Sequence, residues 1–242
     1  MSIKISICAS AARPKDWMET YNSLTKNEIE WELIYVGPNK PDFDLPSNFT
    51  YIYSNTKPAQ CYEIAFRQAK GELLTWTADD AIYPPNAMDD VYKFFKSFNN
   101  QKLVVAFRTV EDGKDITEGH RLRGRDPGAP RMAPFGVMNT EYFHKLGGYD
   151  RRFICGQSEN DVVMRVYEDG GRLEIAPVPV LVHHQKSHSD TVFRSGYFSD
   201  DRKVLEEAWI KDRIIQSKRL IKFEPFSDEN IISETQSQRG RW

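Results

Sequence analysis

The stretch 71–85, GELLTWTADDAIYPP, constrains the fold more than any other part of the chain. Leu73-Leu74-Thr75-Trp76 is an apolar run bounded by Gly71 on one side and Pro84-Pro85 on the other, the pattern of a short buried strand. It delivers two adjacent acids, Asp79 and Asp80, to its C-terminal end. Carboxylates held close together repel, and each loses hydration on burial, so such a strand end needs a neutralising partner. A divalent cation is one such partner. Hard oxygen ligands suit Mg²⁺ or Mn²⁺, and those ions commonly carry phosphates. A polar turn in which Asp caps the following helix is the competing explanation.

The surroundings favour the cation. Residues 4–9 and 31–36 read as strands, the second stopped by Gly37-Pro38, and 48–53 as a third. Residues 14–24 read as a helix opened by Arg13-Pro14, and 59–69 as another that ends before Gly71. Residues 86–98 place Met88, Val91, Tyr92, Phe95 and Phe98 on one helical face, and 103–108 form a further strand. This alternation predicts an α/β fold with a mainly parallel, doubly wound sheet and helices on both faces. Ligands of such sheets bind outside the carboxyl ends of the strands, which is where Asp79 and Asp80 fall.

Residues 112–134 break the rhythm with EGHRLRGRDPGAPRMAP, a long irregular segment of the kind that forms binding loops or lids. Order resumes over 135–143, in a helix over 158–169 and in a strand over 173–182. Pro177 and Pro179 mark that strand as an edge or bulged one. A helix is expected over 201–221. The sequence thus divides into one domain over 1–222, with halves 1–110 and 111–222, followed by a polar tail over 223–242 that is expected to be mobile or loosely docked.

A net charge of −2 gives no footprint for general nucleic-acid binding. No apolar run is long enough for a membrane span or a signal-peptide core. The three cysteines, Cys8, Cys61 and Cys155, are odd in number and far apart, which points to reduced thiols and a cytoplasmic location.

Two further clusters carry chemistry. Ser158-Glu159-Asn160-Asp161 opens a helix, where negative charge is favoured and where a general base can face a cleft. Arg165 lies four residues after Asp161, so an ordinary ion pair explains both equally well. His183-His184-Gln185-Lys186-Ser187-His188 follows the last strand, and imidazole is a good ligand for Mn²⁺. Arg121, Arg123 and Arg125 in the long segment are either a solvated basic loop or a clamp for phosphate oxygens.

The order of these segments resembles the nucleotide-sugar glycosyltransferases of the GT-A fold, family 2 type. The resemblance runs from about Ile5 to Ser189. It is carried by Arg13-Pro14 with Ser23-Leu24, by Ala69-Lys70-Gly71-Glu72 leading to Asp79-Asp80 and Pro84, by Leu146-Gly147-Gly148-Tyr149-Asp150 with Phe153, by Glu159 to Arg165 with Gly170, and by His183. It implies a hexosyltransferase that moves a sugar from a nucleotide diphosphate to an acceptor hydroxyl. A Mn²⁺ or Mg²⁺ ion would be held by Asp79, Asp80 and His183, with Asp79 as the main ligand. Arg123 and Arg125 would join the two acids at the donor, and Glu159 or Asp161 would be the base, with inversion at the anomeric carbon. Three departures stand out. Thr77 occupies the place assigned to a first acid, Val36-Gly37-Pro38-Asn39 carries no acid for the nucleotide base, and the Glu-Asp pair of the helix is offset. They keep a second reading in play, a glycosyltransferase-like module that binds without turnover. A sugar-nucleotide pyrophosphorylase is disfavoured because Ser10-Ala11-Ala12-Arg13 lacks a glycine-rich phosphate loop.

Overall fold

The computed structural model describes residues 2–124, 126–183, 197–227 and 231, with His183 described by its backbone alone. Arg125, His184 and His188 lie outside the described residues. The chain begins β1 (Ile5–Ser10), α1 (Pro14–Leu24), β2 (Trp31–Gly37), β3 (Phe49–Tyr53), α2 (Pro58–Gln68), β4 (Leu73–Trp76), α3 (Ala87–Ser97) and β5 (Leu103–Glu111). Then follow β6 (Lys114–Asp115), a 3₁₀ turn, β7 (Gly136–Asn139), α4 (Thr140–Lys145), α5 (Ser158–Glu168), β8 (Arg172–His183) and α6 (Tyr197–Trp209). A small hairpin of β9 (Ile210–Lys211) and β10 (Ile214–Ile215) closes the series.

One eight-stranded sheet organises the molecule in the order β3-β2-β1-β4-β7-β5-β6, with β8 on the other side of β5. Alternate residues of each strand feed opposite faces, as the period of two requires. Ile5, Ile7 and Ala9 join Trp17, Leu24, Met88, Val91 and Phe95 of α1 and α3. Cys8, Leu74 and Trp76 join Phe66, Phe143, Val162 and Trp209 on the helical layer of α2, α4, α5 and α6. The sheet is mixed. Its β3-β2-β1-β4 half is parallel throughout, but β7 runs antiparallel to both β4 and β5. That inversion brings the chain after the long segment back to the carboxyl end of β4, with Gly136 beside Trp76. A Cβ on Gly136 would lie 3.0 Å from the Val105 carbonyl, a tight contact that the glycine avoids. β8 is both an edge strand and a bulged one, because its register against β5 slips twice around Arg108, opposite Pro179.

Two expectations for the C-terminal part need correction. The helix expected over 201–221 stops at Trp209 and gives way to the hairpin, whose tip places Asp212 and Arg213 at φ of 51° and 67°. The chain beyond Phe223 is not loosely attached where it is described. Phe223 packs under the Arg165 and Arg219 guanidinium groups, the Arg151 amide donates to the Glu224 carbonyl, and Phe226 and Ile231 are buried. Arginine faces on an aromatic ring, backed by apolar burial, hold the segment down.

The Leu146-Gly147-Gly148-Tyr149-Asp150 turn shows why those glycines are there. Both have positive φ, 95° and 75°. A Cβ on Gly147 would meet Phe223, and one on Gly148 would come within 2.6 Å of Glu63 Oε2. The buried Glu63 carboxylate accepts from the Tyr149 amide at 2.9 Å and from Arg67 Nε at 3.0 Å. We expect Gly148→Ala to cost about 1–3 kcal/mol for the backbone conformation alone, and more for displacing Glu63. Urea unfolding reads this directly. An unchanged midpoint would show that Glu63 does not set the turn.

Candidate active site

At the carboxyl edge of the parallel half, β1 and β4 end side by side, and the Thr77 amide donates to the Cys8 carbonyl at 3.1 Å. The chain then turns, so that Asp79 and Asp80 both face the start of α1. Asp79 is almost wholly buried. Its Oδ2 accepts from the backbone amides of Ala12 and Arg13, both at 2.8 Å, and from Trp17 Nε1 at 3.3 Å. Its Oδ1 takes Arg13 Nε at 3.0 Å and Nη2 as well. A carboxylate offers about four lone-pair sites, and these five donors fill them. Asp79 therefore locks the N-terminus of α1 onto the end of β4, where a negative charge also suits the helix dipole. Asp80 Oδ2 pairs with Arg13 Nη1 at 2.7 Å. Burial pulls the Arg13 pKa down, but the adjacent Asp79 and Asp80 outweigh it and raise it, so the guanidinium stays charged.

Thr77 is not a gap in this cleft. It is fully buried, its hydroxyl bonds to Tyr83 Oη at 2.7 Å, and its carbonyl accepts from Tyr62 Oη. A side chain at that position lies in the core, against Tyr83. Tyr83 is likewise an interior residue, and Trp76 has its indole N–H on the Ala133 carbonyl at 2.8 Å.

A two-residue bridge places the last candidate beside the acids. The Ile82 and Val182 backbones exchange hydrogen bonds at 3.0 and 2.7 Å in antiparallel register. The backbone of His183, one residue on, is thereby carried to the stretch that follows Asp80. Asp80 is a carboxylate at a ligand edge with an imidazole-bearing position set beside it. That is a donor set which suits a divalent ion whose remaining ligands come from phosphates. Both oxygens of Asp79 are engaged by the start of α1 in this structure. Among the described residues no group of three His, Cys, Asp or Glu side chains could hold a metal. Arg123 lies elsewhere, exposed and donating to the Arg213 carbonyl at 2.6 Å.

The second half of the site opens beside the first. A cavity of about 220 Å³ is lined by Tyr62, Trp76, Pro134, Tyr149, Cys155, Gly156, Glu159 and Phe198. Trp76 comes from β4, so this cavity and the acid pair share a strand. Tyr62 links them electrostatically. Burial first, then Asp79 and Glu159, push its phenol above the usual range.

Glu159 and Asp161, two residues apart at the start of α5, have opposite fates. Asp161 is fully buried, accepting Trp209 Nε1 at 2.9 Å, Arg165 Nε at 2.9 Å and Arg219 Nη1 at 3.2 Å. Nothing from solvent reaches it, and it is an anchor. Glu159 stands on the cavity wall, where burial and then the nearby Asp201 push its pKa up to about 7. Asp201 in turn sits in a nest of backbone amides, from Ile154 at 2.9 Å, Cys155 at 2.6 Å and Gly156 at 2.9 Å. It fixes the loop that leads into α5. Arg13, Asp201 and Arg219 escaped the sequence reading. For Arg13 the signal was present: a buried acid pair demands a cation, and Arg13 is the basic residue at the end of the neighbouring strand.

No protein-family model matches the chain. In sequence it is 28% identical over 136 residues to polypeptide N-acetylgalactosaminyltransferase 3 of Drosophila melanogaster, a match over 51% of this chain and 20% of that protein. It is 26% identical over 129 residues to polypeptide N-acetylgalactosaminyltransferase 6 of Mus musculus, over 47% of this chain and 21% of the relative. The chain thus spans about a fifth of the length of the curated relatives it matches. Among solved structures, Staphylococcus aureus TarS 1–349 in complex with UDP-GlcNAc superposes with a TM-score of 0.63 at 15% identity, over 85% of this chain and 65% of that one. GalNAc-T7 with UDP, GalNAc and Mn²⁺ superposes with a TM-score of 0.65 at 12% identity, over 88% and 49%. The chain has the GT-A fold. In this GT-A chain the acid pair lies at the carboxyl edge of the parallel strands, and Glu159 on the antiparallel side.

The raised pKa of Glu159 has a thermodynamic consequence. Its ordinary value is 4.5, and in the folded protein it is pushed up to about 7. Between those values the folded chain holds a proton that the unfolded chain has lost, so stability falls as pH rises through this window and levels off above it. We expect the wild-type protein to lose about 1–3 kcal/mol relative to Glu159→Gln on going from about pH 4.5 to pH 7.5. Parallel urea titrations of the two proteins measure the difference. A constant difference across that range would place Glu159 in water.

Proposed function

We propose that the chain is a glycosyltransferase that moves a hexosyl group from a nucleotide-diphosphate sugar to an acceptor hydroxyl. The observation that carries this reading is the pairing of a carboxyl edge bearing Asp80 with a cavity bearing a carboxyl group poised near neutrality. UDP is the nucleotide we favour. TarS binds UDP-GlcNAc and GalNAc-T7 binds UDP, and both share this fold. The acceptor is a hydroxyl compound small enough to enter the cavity beside Glu159.

Asp80 and His183 would hold a Mn²⁺ or Mg²⁺ ion, in keeping with the Mn²⁺ of GalNAc-T7. When bound, that ion neutralises charge on the diphosphate leaving group. Asp79 acts one step back, fixing α1 and the Arg13 side chain. Glu159 accepts the proton of the attacking hydroxyl. A carboxylate with a pKa near 7 is a far better base than one near 4.5, because proton affinity and the ionised fraction are both useful at neutral pH. A base on the cavity wall activating an external hydroxyl implies direct displacement, and hence inversion at the anomeric carbon. We assign Arg123 no part at the donor. Its contact with Arg213 keeps it on the hairpin side of the molecule.

A panel of UDP-, GDP- and CDP-sugars with Mn²⁺ tests the class, and NMR of the product anomer tests the stereochemistry. We expect Glu159→Gln to lower kcat by 100-fold or more, as loss of a general base does, while leaving UDP affinity within about twofold. The wild-type kcat/KM should fall as pH drops below about 7. UDP binding without transfer or hydrolysis under any acceptor would favour the binding module instead.

A further inference from the structure

Arg13 does two things at once, and only one is explained by architecture. Its backbone amide, Nε and Nη2 hold Asp79, which seals α1 to β4. Its remaining terminal nitrogen, Nη1, reaches past Asp79 to Asp80 Oδ2 at 2.7 Å. That second contact is not needed to anchor the helix. It places the guanidinium on the second carboxylate of the pair. The side chain is itself 34% exposed, so it is reachable from the cleft, whereas Asp79 and Asp80 are nearly closed to water. A guanidinium fork binds carboxylate and phosphate oxygens with the same geometry, so Nη1 can exchange one for the other.

We propose that Arg13 guards Asp80, occupying it as an internal cation until a nucleotide diphosphate arrives, so that metal and nucleotide bind as a coupled pair and the metal alone binds weakly. The inference rests on the donor-site reading above. With the diphosphate in place, Nη1 gains phosphate oxygens and releases Asp80 Oδ2 to the cation, while Nε and Nη2 stay on Asp79 and keep α1 fixed. By linkage, whatever the nucleotide gains from the metal, the metal gains from the nucleotide.

The experiment measures Mn²⁺ affinity by EPR of the free ion, with and without UDP, in the full chain and in Arg13→Gln. For the wild type we expect UDP to tighten Mn²⁺ by at least 10-fold. In Arg13→Gln we expect Mn²⁺ alone to bind about 10-fold tighter than to wild type, and the gain from UDP to shrink correspondingly. UDP chelates Mn²⁺ in either protein, so the fall in the gain, rather than its existence, reports on Arg13. A purely structural Arg13 would lower the unfolding midpoint and leave Mn²⁺ affinity unchanged, and that result would overturn the proposal. Should Arg13→Gln fail to fold, Arg13→Lys keeps the charge but loses the fork. It should move both values in the same direction by a smaller factor, and no movement would overturn the guard. Failure of wild-type protein to bind UDP at any Mn²⁺ concentration would sink the donor reading instead. The Mn²⁺-only comparison between wild type and variant stands apart from that outcome.

Discussion

Asp161 is the residue on which the acceptor half of the structure depends. A buried carboxylate is tolerable only when its charge is matched and its lone pairs are used, and here three donors from three separate segments converge on it. Arg165 belongs to the same helix and passes the connection on, donating to the carbonyls of Leu146 and Gly148 in the two-glycine turn. Arg219 carries it to Asp150, which also holds Arg152 and the Glu224 amide. Burial pushes the Asp150 carboxyl up, but those partners outweigh it and hold it below its ordinary value. Trp209 brings in the end of α6. Removing a single member would leave a buried charge without its partner, which costs several kcal/mol. The orientation of α5, and with it the position of Glu159, follows from this network rather than from the helix's own propensity.

The donor half depends on a division of labour between two acids that look identical in sequence. A strand end with one carboxylate would have to choose between tying down α1 and serving a ligand. With two, both oxygens of Asp79 are taken by backbone amides, an indole and a guanidinium, while Asp80 pairs with Arg13 through Oδ2. The same logic governs Glu159 and Asp161, where the inner acid builds and the outer acid faces the cavity. In each pair one carboxylate has its lone pairs used by donors that fix the fold.

That division explains how much could be read from the residues alone. The strands of the parallel half and α1 follow from apolar runs, Gly-Pro stops and a proline at the first helical position, all of them local signals. The acid pair and Glu159 were legible as candidates because strand ends and helix starts are where ligand groups sit. Which member of each pair fixes the fold was not legible. That depends on what arrives from 48 to 67 residues away, such as Ala12 and Arg13 for Asp79 or Trp209 and Arg219 for Asp161. The α6 boundary was misjudged for a related reason. Ile210, Ile214 and Ile215 continue an apolar pattern, and only the positive φ of Asp212 and Arg213 shows that the pattern has passed from a helix to a hairpin.

The charge balance of the cleft ties these points together. Asp79 and Asp80 contribute two negative charges and Arg13 one positive, so the closed edge carries a residual negative charge in a region of restricted water. A divalent cation alone would reverse that charge, and a diphosphate alone would deepen it. Each is opposed by desolvation in a partly buried site. Bound together they come close to cancelling. The diphosphate without the cation is the state this charge count disfavours most, and the cation brings the loaded cleft back towards the charge of the empty one. The arrangement that supplies this property is not the acid pair as such but the acid pair together with Arg13, held in register by the amides at the start of α1.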